Sequence, residues 1–514
     1  MQRLSLTDVR NIFLQLVALV VVLIWLLLGT HLFAQQRKVV DLDPAPLPTV
    51  PKLPELPSSP SLPPASPSLP PAPTVSTPMP VPDSRSTEPK NPLGELPQPR
   101  IPTIGSPLPV PIPGPISEIP VVTPPDYVPL REYPNPLLRT TVTLEYLNWW
   151  VKAQTISSPL VTSGPLSQTG VDVLYTNNEA SDFERGFRER IVGQGDIDFG
   201  SLSGVRFGLT RWTDSQKVFG FQTSTFLFEK GTERAAFSGG DFGSLLIARP
   251  FYNARTDSES ALYISNPALG ITGSLLTEST LRFNGVEVNG LYRTSLGDLP
   301  HYSYVFVGLR TLGLNETLGV AHVSRPIIGT TGGPSYLGVP LNANEAVLSY
   351  DRLQTQNRFY GTQVGLRWQY TADRFTMGLT GKIGLGMNQT IIENTGETGL
   401  YRNGVGIANT PGGFLTVGDN RRRSFEVTFG YVPEFLLDVM WEVAPNFRLR
   451  LGYNFLYWAA VIRPANVYER AVNGALIPSS PEFGLTGGGS RPASVARQTD
   501  FWAHGLVLGI EWRF

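Results

Sequence analysis

From Thr140 to the carboxyl terminus, apolar and polar positions alternate with a period of two. The last ten residues, GLVLGIEWRF, set Leu506, Leu508, Ile510, Trp512 and Phe514 at alternate positions, with Gly505, Gly509, Glu511 and Arg513 between them. Successive side chains of a β-strand point to opposite faces, so this segment carries one wholly apolar face and one small or charged face. YGTQVGLRWQY (360–370) and RFTMGLTGKIGLGMN (374–388) repeat the pattern and are separated by only three residues, which predicts a hairpin. Applied throughout, the same test predicts about ten strands (range 8 to 14), near 141–152, 200–213, 217–229, 279–294, 302–314, 357–370, 374–389, 423–439, 446–462 and 500–514.

The connections alternate in length. Short turns are expected at 214–216, 295–301, 371–373 and 440–445, and long loops at 153–199, 230–278, 315–356, 390–422 and 463–499. A soluble sandwich gives no reason for such alternation, whereas outer-membrane barrels have short periplasmic turns and long extracellular loops. The expected fold is therefore all-β: an antiparallel up-and-down transmembrane β-barrel occupying 139–514. An even strand number puts both barrel ends on the periplasmic side. A soluble double sheet is the alternative fold, in which Leu366, Leu379 and Leu451 would meet in a shared core. Pro433, inside the eighth strand, calls for a bulge or a different strand boundary.

Tryptophans cluster near strand ends, and Tyr360 and Tyr370, Phe447 and Tyr457, and Trp502 and Trp512 are each ten residues apart, the span of a tilted membrane strand. Trp149, Trp150, Trp212, Trp368, Trp441, Trp458, Trp502, Trp512 and Phe514 are accordingly expected in two aromatic girdles. Leu506, Leu508, Ile510 and Trp512 are expected to face lipid. The terminal Phe514 has the form of the carboxyl-terminal signal recognised by the barrel-assembly machinery.

Composition divides the chain before the barrel. Of 47 prolines, 32 lie between Pro44 and Pro136, a density that excludes a packed core. Residues 35–138 are thus expected to be a disordered, polyproline-like periplasmic linker, with peptidoglycan as a further contact. Arg3 and Arg10 precede the apolar run LVALVVVLIWLLLG, and Ala34 supplies a small residue, so 1–34 reads as a secretory signal peptide or as a retained anchor. Net charge is −1 and charged residues make up 16%, which removes nucleic acid as a partner. There are no cysteines, so disulfides, thiolate metal sites and cysteine nucleophiles are excluded.

These features converge on a known family. The stretches LEYLNWWVK, SGVRFGLTRWTDSQKVFGFQTSTFLFEKG, IARPF, NRFYGTQVGLRWQY, LTGKIGLG, LGYNFLYWAAVIRP and TDFWAHGLVLGIEWRF resemble β-barrel porin family seven of planctomycete-type bacteria, over essentially 140–514. The resemblance implies an outer-membrane barrel at the cell surface and carries over no catalytic, cofactor or metal residues.

Alternation places Glu145, Arg206, Glu287, Arg310, Arg367, Lys382, Glu426, Glu434, Asp438, Arg448, Arg450, Glu511 and Arg513 in the lumen. Mixed signs in a narrow barrel suit either a structural salt-bridge plug or an eyelet formed, for example, by Arg367, Arg448 and Glu426. The expected function is a porin-like or structural barrel, with surface adhesion or binding through the long loops as the alternative. An enzyme is less favoured, because His322 is the one histidine expected in a long loop and it lacks a paired carboxylate motif. His301 is expected in a short turn and His504 on the lipid side.

Overall fold

The computed structural model describes residues 139–156, 159–165, 195–239, 245–294, 301–327 and 333–514. The expected signal segment, the proline-rich linker, most of the 153–199 loop and residues 295–300 of one turn lie outside the described residues. Ten long strands form the wall: β1 (Thr140–Val151), β2 (Ser201–Trp212), β3 (Phe219–Phe228), β4 (Ile271–Arg293), β5 (His301–Pro326), β6 (Glu345–Ala372), β7 (Phe375–Arg402), β8 (Arg423–Ala444), β9 (Phe447–Ile462) and β10 (Gln498–Arg513). Each pairs antiparallel with its sequence neighbour, and β10 pairs with β1 from Arg513↔Thr141 to Ala503↔Val151, so the sheet closes on itself. Closure matters because an open strand edge in hydrocarbon leaves backbone donors and acceptors without partners.

Side chains divide by parity. On β1, Leu144, Tyr146 and Trp150 are exposed while Glu145, Leu147 and Trp149 are buried. Leu366, Leu379 and Leu451 are likewise exposed, at 49%, 48% and 55%, so they form an outer apolar surface and no shared core. The soluble double sheet is thereby ruled out.

The strands extend farther toward the loop end than expected. β5 continues to Pro326, β6 begins at Glu345, β7 continues to Arg402 and β4 begins at Ile271, all within regions expected to be loop. The reason is an inversion of polarity along single strands. On β6, Tyr360, Val364, Leu366 and Trp368 face outward, but above Tyr360 the apolar residues change sides. Val347, Leu353 and Phe359 are buried inside, whereas Arg352, Gln354, Gln356 and Arg358 take the outer positions and are half-buried. A search for one continuous apolar stripe ends where the stripe crosses the sheet.

The long connections fold against this inward apolar face. Leu245–Asn253 pairs with Ser258–Ser265, Thr162–Pro165 and Ala471–Val472 in a small sheet. Ile247, Phe251, Ile264, Phe414, Val417, Val467 and Ile477 from these segments pack with Leu318, Val320, Leu353 and Ile392 of the wall.

Pro433 produces neither of the expected irregularities in β8. The β7 ladder runs through Ile383↔Pro433 without a shift, while the β9 ladder stops at Glu434↔Leu456. Proline has no N–H to give a neighbour, so pairing is lost on one side only. Register shifts lie elsewhere, on β8 between Glu442 and Ala444 and on β9 between Trp458 and Val461, where Ala460 has φ +58°. There Asn388 Nδ2 donates to the carbonyls of Ala459 and Ala460 at 2.8 Å each, and Asn357 bonds both N–H and C=O of Ile462 at 2.9 and 2.8 Å. Side-chain amides replace the missing ladder.

The inversion sets an expectation for substitutions on one face. Leu379→Arg, on the lipid side, should cost about 2–4 kcal/mol. Gln354→Arg, on the outer face above the lipid band, should lie within about 0.5 kcal/mol of the parent. Urea unfolding in detergent micelles checks both.

Candidate functional site: the filled lumen

Eight strands contribute charged side chains to one continuous network. Arg367 on β6 makes a two-pronged contact with Asp438 on β8, Nη1 to Oδ1 at 2.9 Å and Nη2 to Oδ2 at 2.8 Å. Arg450 on β9 bridges Asp438 at 3.4 Å and Glu145 of β1 at 2.5 Å. Arg206 on β2 joins Glu145 at 3.2 Å to Glu434 at 3.9 Å. Glu434 also receives Arg310 of β5, Lys382 of β7 at 3.3 Å and the amide of Asn454 at 2.9 Å. Lys382 ends the chain on Glu287 of β4 at 2.7 Å, which accepts from Gln363 at 3.1 Å. Gly378 makes room for this packing, since a Cβ there would lie 2.6 Å from Arg367 Nη2.

Burial decides what such a network can do. Asp438 is 1% exposed, Glu145 2%, Glu434 3% and Arg310 4%. Charges this far from water must be paired, and the loss of one partner strands the others. The space among Arg206, Arg310, Lys382, Glu287 and Glu434 is small, with room for about one water.

The expected lumen residues fall in two groups. Glu145, Arg206, Glu287, Arg310, Arg367, Lys382, Glu434, Asp438 and Arg450 belong to the network. Arg448, Glu511 and Arg513 meet at the short-turn end, where Glu442 takes Arg448 at 3.0 Å and Arg513 at 2.7 Å, and Glu511 lies 3.7 Å from Arg448. Glu426 is on the same inward parity of β8, half-buried and twelve residues above Asp438. The suggested trio of Arg367, Arg448 and Glu426 is therefore not assembled, because each belongs to a different level of the interior. Near the short-turn mouth, burial and then the positive charges of Arg513, Arg448 and Arg293 lower the Lys217 ammonium to about 8.

Above the network lies an apolar layer of Trp149, Phe226, Phe283, Phe359, Trp458 and Phe501 with Leu147, Leu281, Leu312 and Leu456. Three expected girdle members are thus corrected. Trp149 and Trp458 are 0% exposed and Trp212 is 7% exposed, all on inward positions. Neighbouring residues of a strand cannot share a face, so Trp149 and Trp150 must separate, and it is Trp150 that points out. Arg206 lies 5.4 Å from the Trp149 ring and 5.9 Å from Phe226, joining the charged and apolar layers by cation–π contact. Trp458 Nε1 donates to Asn388 Oδ1 at 2.8 Å. Trp150, Trp368, Trp441, Trp512 and Phe514 are exposed on outward positions, and Trp502 is half-buried beside His504, whose Nδ1 is 2.6 Å from the Tyr453 hydroxyl.

Two arginines that alternation did not single out tie the loop segments to the wall. Arg463 makes Nε and Nη2 contacts with Glu316 of β5 at 3.0 and 2.6 Å, and its Nη1 donates to the carbonyls of Lys152 and Ala153 at 3.0 and 2.9 Å. Arg249 donates to Asp351 of β6 at 2.7 Å. Asp351 Oδ1 also accepts from the backbone N–H groups of Phe414, Leu415 and Thr416 at 2.8–3.0 Å and from the Thr416 hydroxyl at 2.8 Å. A Cβ on Gly413 would lie 2.3 Å from that oxygen. Both arginines precede proline, in IARPF and VIRP, but so do Arg325 and Arg491, so the pairing alone does not mark them.

His322 is also corrected: it is an inward residue of β5, 1% exposed, and not a surface-loop residue. Burial, and then the charge of Arg249, hold its imidazole well below the ordinary value, so it stays neutral. His301 is the first residue of β5.

A closed ten-stranded wall, apolar outside and filled inside, defines an outer-membrane β-barrel. The family model described as "Putative beta barrel porin-7" matches residues 142–514, and the chain belongs to that family. No curated protein matches. Among solved structures, the outer-membrane protease OmpT of Escherichia coli is similar at 9% identity, with 73% of this chain and 97% of that one covered and a TM-score of 0.33. The toluene transporter TodX of P. putida is similar at 7% identity, with 73% and 90% covered and a TM-score of 0.16. A FadL homologue of Pseudomonas aeruginosa is similar at 8% identity, with the same coverage and a TM-score of 0.19.

The two levels of ion pairing should differ in strength. Glu434→Gln strips Arg310 of its carboxylate and leaves Arg206 and Lys382 with only Glu145 and Glu287, and should lower stability by about 3–5 kcal/mol. Glu442→Gln, at the partly exposed short-turn end, should cost about 1 kcal/mol or less. Denaturant titration followed by tryptophan fluorescence compares them directly.

Proposed function

We propose that this protein is a structural outer-membrane barrel whose interior is closed and whose long loops present a folded surface for binding outside the cell. The observation that carries the reading is the stacking of a buried, ion-paired charged layer beneath an aromatic layer across the same interior. An eyelet needs charges that passing solutes can reach, and Glu145, Asp438 and Glu434 are 2%, 1% and 3% exposed. A conducting porin is the second reading. It is supported by the family's description as a β-barrel porin.

In this reading the outward Trp150, Trp368, Trp441, Trp502, Trp512 and Phe514 serve as interfacial anchors in lipid. The aromatic end of β10 addresses the barrel-assembly machinery. Residues 1–34 direct export, and 35–138 form a periplasmic spacer reaching toward peptidoglycan. No enzymatic role is proposed, because Glu316 and Asp351 are engaged by arginine and, for Asp351, by backbone amides, an arrangement that fixes loops in place.

The test is single-channel recording of the refolded full chain in a planar bilayer, with insertion verified by heat-dependent gel mobility. Inserted protein should give no discrete conductance steps. Regular steps, abolished or resized by Arg367→Ala, would establish the conducting porin instead.

A further inference from the structure

The outer face of β4, β5 and β6 carries a polar patch where it leaves the apolar band. Ladder register aligns Asn284 with Gly313 and Gly313 with Arg358, and one outward position higher it aligns Arg282 with Asn315 and Asn315 with Gln356. The outward residues directly below, Val286 of β4 and Tyr360 of β6, are 45% and 48% exposed and belong to the lipid-facing surface. Arg358 reaches sideways across β5, because a Cβ on Gly313 would collide with its Nη1 and lie 2.5 Å from Asn284 Oδ1. The missing side chain lets this guanidinium approach β4, where Arg282 is exposed.

The side chains of Arg282, Asn284, Asn315, Gln356 and Arg358 form no hydrogen bond or ion pair among the described residues, and Asn315 Oδ1 is buried without a donor. The carboxylates of the same rim are engaged elsewhere. Glu229 accepts from the Ser203 N–H at 2.8 Å, Glu278 is held by Arg234 at 2.8 Å and Lys230 at 3.9 Å, and Glu393 stands opposite Arg423 in the β7–β8 ladder. On the other side of the barrel the rim is different: Lys152 is paired with Asp500 at 2.7 Å, beside the stacked rings of Trp150, His504 and Trp502. The β4–β6 patch is therefore two uncompensated guanidinium groups among three amides, directly above hydrocarbon.

Guanidinium groups take phosphate through paired N–H donors. Side-chain amides both donate and accept, which matches sugar hydroxyls. The apolar band beneath matches acyl chains. A ligand that satisfies all three carries phosphate, sugar and hydrocarbon in one molecule. We propose that this patch binds the phosphorylated sugar headgroup of a glycolipid in the leaflet on the loop side, Arg282 and Arg358 taking the phosphate, the three amides the sugar, and Val286, Val288 and Tyr360 the acyl chains. The inference rests on the barrel spanning a lipid bilayer and is independent of whether its interior conducts.

The experiment is native mass spectrometry of the detergent-solubilised full chain, its folding checked by heat-dependent gel mobility, with diphosphoryl lipid A, dephosphorylated lipid A and phosphatidylglycerol as probes. The folded parent should hold one diphosphoryl lipid A, and the other two lipids should bind at least about tenfold more weakly. Arg282→Gln combined with Arg358→Gln should weaken diphosphoryl lipid A by about tenfold or more, whereas Lys152→Gln, on the other side of the barrel, should leave it unchanged. If the double variant fails to fold, Gly313→Ala decides: it keeps both charges, displaces Arg358, and should weaken binding about threefold or more. The proposal is overturned if the folded parent holds no diphosphoryl lipid A, if either comparison lipid binds as tightly, if the deciding variant binds undiminished, or if Lys152→Gln weakens binding equally. A parent without heat-dependent mobility would overturn the barrel reading itself, and the inference with it.

Discussion

A closed sheet in hydrocarbon must turn its apolar side chains outward, and everything else about this barrel follows from what is then left inside. Ten strands with Leu366, Leu379, Leu451 and Leu508 on the outer face commit the opposite parity to the barrel interior. Glycines alone would leave that interior empty, and single charges would be stranded there. Eight strands together place arginines and a lysine against four carboxylates, so that each desolvated charge meets an opposite one. Bonds between side chains on separate strands also fix the register of those strands against one another.

The same strands continue beyond the lipid band, and there the solvent on the outside is water. The apolar parity changes sides, the wall becomes an ordinary sheet with a core, and the connecting segments supply the other half of that core. Arg463 with Glu316, and Arg249 with Asp351, join the two halves at points where the backbone of a loop would otherwise lack partners. Asn357 and Asn388 do the same for the upper end of β9, which Pro433 deprives of its β8 ladder. The interior is thereby continuous from the ion pairs through the aromatic layer to the folded loops, which is why a structural reading suits it better than an aqueous pore.

Much of this was legible in the sequence. Period-two alternation gives ten strands and their inward charges, because a lipid-facing stripe leaves a strong and simple pattern at residues such as Leu506, Leu508 and Ile510. The upper strands were not legible, because inward positions there mix Leu353 and Val347 with Asp351, Thr355 and Asn357, whose partners come from distant loops. A polar residue awaiting a remote partner looks like a loop residue. The tryptophans misled for a related reason: strand ends attract aromatics on both faces, and position along the chain does not distinguish Trp150 in the outer surface from Trp149 in the core unless parity is applied. Arg249 and Arg463 carry no distinguishing local signal, since their acceptors lie 102 and 147 residues away.

On β6 the outer face of a single strand passes from lipid to water near Tyr360. Spin labels placed singly at residues 352, 354, 356, 364, 366 and 368 of β6 in lipid vesicles measure this through their relative collision rates with oxygen and with a water-soluble nickel chelate. Nickel-dominated collisions are expected at 352, 354 and 356 and oxygen-dominated collisions at 364, 366 and 368. Uniform oxygen dominance along all six, or uniform nickel dominance, would contradict it.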